Sequence, residues 1–122
     1  MTLKEIADMI AGIGYEYCYY QFETGPNDAP PEPPYVCFYY PNDDDLIADN
    51  INYARINALI VELYTDEKDF DAEEAVEAAL IAHELPFSKS ETYIESERMY
   101  MTTYRTEVVL TTNSTEGNDN GQ

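Results

Sequence analysis

Ile56-Asn-Ala-Leu-Ile-Val-Glu-Leu-Tyr64 is the main part of a long strand that is largely apolar. Read with the two-residue period of a strand, Ile56, Ala58 and Ile60 take one face, and Asn57, Leu59 and Val61 take the other. A strand apolar on both faces belongs at the centre of a sheet, covered on both sides. Its full extent is expected from Asn52 or Tyr53 to Tyr64, and the rest of the chain is read outward from it.

Upstream, Tyr35-Val-Cys-Phe-Tyr-Tyr40 and the aromatic run Tyr15 to Phe22 read as two more strands. Between them lies Glu23 to Pro34, with five prolines in twelve residues. Proline offers no donor to a ladder, so this is a loop. Its run Pro30, Pro31, Glu32, Pro33, Pro34 is expected to be stiff and extended. If the two strands form a hairpin with Tyr20 opposite Tyr35, Cys18 falls opposite Cys37. The N-terminus carries a capping-box pair, Thr2 and Glu5, and Leu3, Ile6, Ala7 and Ile10 share a helical face. Gly12 and Gly14 end that helix, expected at about residues 3–12.

Downstream, Pro41 to Asp45 breaks the pattern, and Asp66 to Asp71 is an acidic turn. Asp71 and Glu74 offer a capping-box-like start to a second helix at about 70–84. Ala72, Val76, Ala79, Leu80 and His83 share its face, its acids sit in the first half, and Pro86 ends it. Phe87–Ile94 and Met99–Leu110 are strands joined by the turn Glu95-Ser-Glu-Arg98. On the second of these, Met99, Met101 and Thr103 share one face. The order is α-β-β-β-α-β-β, an α+β fold with two helices on a mostly antiparallel or mixed sheet. Residues 1–110 form one domain, and 111–122 are expected as a flexible polar tail.

Six basic residues against 25 acidic ones leave a net charge of −19. Phosphate binding needs Lys and Arg, so the balance argues against direct nucleic-acid binding and against docking on anionic membranes. A hydrophobic content of 44%, with twelve tyrosines, is too high for a disordered acidic chain. Lys4, Glu5 and Asp8 interrupt the N-terminal apolar pattern, so a secretory leader is not expected. Two cysteines without metal-ligand spacing read as a reduced intracellular pair, with a cross-strand disulfide as the sharper alternative.

Catalytic signals are weak. His83, the only histidine, sits among alanines and leucines with no nucleophile in view and reads as structural. Phosphate-loop and nucleophile-elbow motifs are absent. Asp43, Asp44, Asp45 and Asp49 lack the alternation and central glycine of a calcium loop and read as a solvated acidic loop. Neither enzyme activity nor a cofactor is expected. The tyrosines carry two readings, sheet formers or a protein interface, and the long proline-rich loop supports the second. The acids also carry several readings: solubility, a wall that repels passing DNA, or mimicry of DNA phosphates.

The stretch Ile60-Val-Glu-Leu-Tyr-Thr-Asp-Glu-Lys-Asp69, followed by an acidic amphipathic helix and Glu91-Thr-Tyr-Ile-Glu-Ser-Glu97, resembles small neck and tail proteins of siphophages and prophages of Gram-positive bacteria. The element order resembles the tail-terminator (tail-completion, head-to-tail joining) family, over about residues 3–110. The resemblance implies a structural subunit, made in a bacterial cytoplasm, that forms a six-membered ring at the head–tail junction of the virion. The ring would cap the tail tube and meet the head connector or stopper, and DNA would pass its acidic lumen unbound. It implies no catalytic residues. Candidate partner-contact positions are Pro30, Pro31, Pro33 and Pro34; Asp43, Asp44 and Asp45; and Glu95, Glu97 and Arg98. The alternative is a small acidic DNA mimic that inhibits a host DNA-binding or defence protein.

Overall fold

Thr2 and Glu5 close the capping box expected of them. Thr2 Oγ1 accepts from the Glu5 amide at 3.1 Å, and Glu5 Oε1 accepts from the Thr2 amide at 2.8 Å. Helix α1 (Leu3–Ala11) follows and buries Ile6, Met9 and Ile10, whereas Leu3 stays half exposed. Of the two glycines expected to stop it, Gly14 takes the positive φ (+104°), while Gly12 keeps right-handed backbone. The computed structural model describes residues 1–22, 31–41 and 54–111. Its remaining elements are β1 (Glu16–Tyr19), β2 (Tyr35–Tyr39), β3 (Ala54–Thr65), α2 (Phe70–Ala82), β4 (Phe87–Ile94) and β5 (Met99–Thr111).

The five strands form one sheet in the order β1-β2-β3-β5-β4, so the long apolar strand β3 is central as its pattern demands. Its pairings with β2 and β5 are antiparallel, as is β4 with β5. The expected hairpin between the first two strands does not form. β1 pairs with β2 in parallel, with Glu16 rather than Tyr20 opposite Tyr35. Cys18 still meets Cys37. The physical reason is connection length: a parallel return needs about a dozen residues, and the chain between β1 and β2 has them. Tyr20, at φ +74°, turns the chain back at the end of β1.

Both helices pack on one face of the sheet. Ile6, Met9 and Ile10 of α1 and Ala72, Val76 and Leu80 of α2 join Val36, Phe38, Leu59, Val61, Leu63 and Tyr104 in one core. Each fully buried aliphatic side chain here contributes about 1.5–3 kcal/mol. Among the described residues no helix packs on the other face, contrary to the two-sided cover expected of β3. On that face Ala58 and Ile60 are buried, whereas Ile56 is 71% exposed.

Helix α2 starts at Phe70, as expected, but with a different cap. Asp69, not Asp71, is its N-cap, and Asp69 Oδ1 accepts from the Ala72 amide at 2.9 Å. Its C-terminus closes through two backbone bonds, Leu85 N–H to Leu80 carbonyl and Glu84 N–H to Ile81 carbonyl, both 2.9 Å. That is the Schellman arrangement, with Glu84 at φ +58° in the position glycine favours. Leu85 then packs into the core beneath it.

Candidate assembly surfaces

Strand direction places the described candidate loops at one end of the sheet. Tyr35 opens β2 opposite Tyr64, near the end of β3, and Tyr64 lies opposite Met101, near the start of β5. The lead-in to β2, the β3–α2 turn and the β4–β5 turn therefore share one end. Pro31, Pro33 and Pro34 stand there, half buried, with a bend over residues 32–34 in place of the extended run expected of them. Glu95, Glu97 and Arg98 form the exposed β4–β5 tip, closed by Glu97 N–H to Ile94 carbonyl at 3.1 Å. Asp66 and Glu67 of the β3–α2 turn are exposed at the same end. Pro41 leaves β2 at the opposite end. Pro30, Asp43, Asp44 and Asp45 lie outside the described residues, as do 112–122 of the expected tail.

The open sheet face is the second surface. At one side of it, Ile56 and Val109 oppose each other across β3 and β5, and Val109 is 51% exposed. The edges of the sheet differ. β4 presents the polar side chains Ser88, Ser90 and Thr92 on this face. β1 is short and aromatic, with Tyr17 and Tyr19 exposed beside it.

Between β1 and β3 the open face holds a cluster that sequence reasoning did not single out. Glu62 accepts from the Tyr64 hydroxyl at 2.8 Å and from the Tyr39 hydroxyl at 3.3 Å. Tyr35 stacks on Tyr64, with centroids 4.9 Å apart, and Tyr20 stacks on Tyr39 at 5.1 Å. Phe22 meets the edge of Tyr35, and a depression of about 390 Å³ lies among these rings. Burial, then the Glu62 carboxylate, pushes the Tyr64 and Tyr39 hydroxyls above the usual phenol range. Both therefore remain protonated donors. The sequence signal was available: Glu62 is the one charged residue inside the apolar run, and Tyr35 and Tyr39 share a face at strand spacing.

Beside Glu62, Cys37 is the cross-strand partner. Cys18 and Cys37 are free thiols with Sγ atoms 3.3 Å apart. Burial raises both thiol pKa values, most strongly that of Cys37. Few thiolates form at neutral pH, so the pair is chemically quiet.

His83 is the C-cap of α2, exposed, with Nδ1 2.9 Å from the Ala79 carbonyl of its own helix. Among the described residues no group of three His, Cys, Asp or Glu side chains is placed to hold a metal ion. Among them, too, no helix is long and apolar enough to cross a membrane.

No family model matches the chain, and no curated protein matches it. Among solved structures, a chain from the virion of a native gene transfer agent particle is similar over 88% of each chain, at 17% identity and a TM-score of 0.44. A likeness of that size is too small to assign a function.

Proposed function

We propose that this chain is a structural subunit of a tailed-phage virion. In the finer form of the reading it is a tail terminator that assembles with its own copies, as six in a ring. The ring caps the tail tube and joins it to the head connector. The observation that carries the assembly reading is the open sheet face, where Ile56 and Val109 lie exposed side by side. Exposed apolar side chains grouped on one face favour burial against another surface. Candidate contacts gathered at one end of the sheet suit a subunit that meets a partner there. Those contacts are Pro31, Pro33, Pro34, Glu95, Glu97 and Arg98, at the end opposite Pro41. A net charge of −19 suits a lumen that DNA passes without binding.

Gold labelling of a tagged chain in particles released from a producing cell tests this reading. Label at the head–tail junction is the expected result. Particles without label, or with label elsewhere, contradict it.

A second reading has its own observation. Asp66, Glu67, Glu95 and Glu97 gather at one end of the sheet, as a mimic of DNA phosphates requires. Retention of a DNA-binding protein that DNA itself displaces would favour that reading.

A further inference from the structure

We propose that the depression between the two tyrosine stacks on the open sheet face binds an arginine side chain presented by a partner protein. On β2, Tyr35 and Tyr39 flank Cys37; on β3, Glu62 lies directly across from Cys37. The Tyr35–Tyr64 stack forms one wall and the Tyr20–Tyr39 stack the other, each pair within 19° of parallel. The floor between them is a thiol and a carboxylate. Aromatic walls over a single carboxylate fit a cation that is flat, weakly hydrated and able to form two parallel hydrogen bonds. Guanidinium has those properties, since it stacks on aromatic faces and binds carboxylates through a fork of donors. A lysine ammonium is compact and strongly hydrated and makes poorer use of the walls.

The carboxylate has capacity left for such a ligand. Glu62 Oε1 accepts one phenol and Oε2 the other, and a carboxylate offers about four acceptor positions in all. The two phenols aim it and hold it in place before any ligand arrives. Among the described residues Glu62 forms no ion pair, although Arg105 projects from the same sheet face. Arg105 acts electrostatically on Tyr39 without pairing with Glu62, so the carboxylate keeps a place for a cation from another protein. A neutral apolar ligand would strip water from the carboxylate without replacing it. The site stands whether or not the chain joins a ring.

Titration of the ¹⁵N-labelled full chain with Nα-acetyl-arginine amide, at physiological salt, tests the proposal. Saturable amide shifts at Cys37, Tyr39 and Glu62 are expected. Nα-acetyl-citrulline amide has the same shape without the charge, and it should bind roughly tenfold more weakly, a difference of about 1.4 kcal/mol. Glu62→Gln should weaken arginine binding by a similar factor and keep the native spectrum elsewhere. The citrulline comparison uses the unaltered chain, so it holds even if the variant misfolds. Equal responses to arginine and citrulline would overturn the proposal. So would undiminished binding to folded Glu62→Gln, or shifts confined to the acidic turns around Asp66 and Glu95.

Discussion

Glu73 is 4% exposed on α2 and shares two lysines with its neighbours. Lys68 Nζ lies 2.8 Å from its Oε2, and Lys89 Nζ lies 2.8 Å from its Oε1. Lys68 also reaches Glu91, and Lys89 reaches Glu77 at 2.6 Å, where the Tyr104 hydroxyl donates at 2.9 Å. Burial opposes the Glu73 charge, but hydrogen bonds from Lys68 and Lys89 outweigh it and hold the carboxyl below the usual range. A carboxyl with a depressed folded-state pKa stabilises the fold above its unfolded value of about 4.5, and that stability is lost as pH falls through the lower folded value. Glu73→Gln should therefore destabilise the fold at pH 7. Urea unfolding from pH 7 to pH 2 should show the gap to the unaltered chain narrowing below about pH 4.5. A gap independent of pH would mean that the paired charge is not its source. None of this network was legible in the sequence. Glu73 borders the apolar stripe of α2, and its lysine partners lie on the turn before the helix and on β4, positions that only the fold brings together.

At the level of elements, most of the architecture was legible because each segment carries its own periodicity and caps. The capping box of α1 and the central place of β3 were read from local pattern, and β4 begins and ends where that pattern does. Two features were hidden by competing local signals. Asp71 with Glu74 looks like a capping box, yet Asp69 caps α2 because the helix begins at Phe70. The alternating aromatic runs around the prolines look like a hairpin, yet the connection is long enough for a parallel return. The C-terminus of α2 gives a direct test. Glu84 holds a left-handed backbone, which costs a non-glycine residue about 1–2 kcal/mol. It also places a negative charge at the negative end of the helix dipole. Glu84→Gly should raise unfolding stability by about 1 kcal/mol, read as a higher urea midpoint with an unchanged slope. A fall in stability would show that the Glu84 side chain contributes contacts worth more than the backbone strain.

For the whole molecule, the decisive asymmetry is between a sheet face packed under two helices and one on which no described helix lies. Sequence analysis treated β3 as covered on both sides because alternation reports only that both faces are apolar. Which neighbour covers a face depends on where the helices pack, and that depends on the register of all five strands. The open face therefore entered only with the structure, and with it Glu62 and its tyrosines. Of the positions chosen from composition, Pro31, Pro33, Pro34, Glu95, Glu97 and Arg98 lie at one end of the sheet, because proline and acidic runs mark chain reversals.

Light scattering on the size-excluded protein, across protein concentration, salt and Mg²⁺, tests the central claim of assembly most directly. Repulsion between copies carrying −19 each should ease as ions screen it. The account predicts a species of six copies of the 14.0 kDa chain, about 84 kDa, that salt or Mg²⁺ promotes. Val109→Asp should keep the fold and lose that species. A mass fixed at 14.0 kDa under every condition would contradict the account.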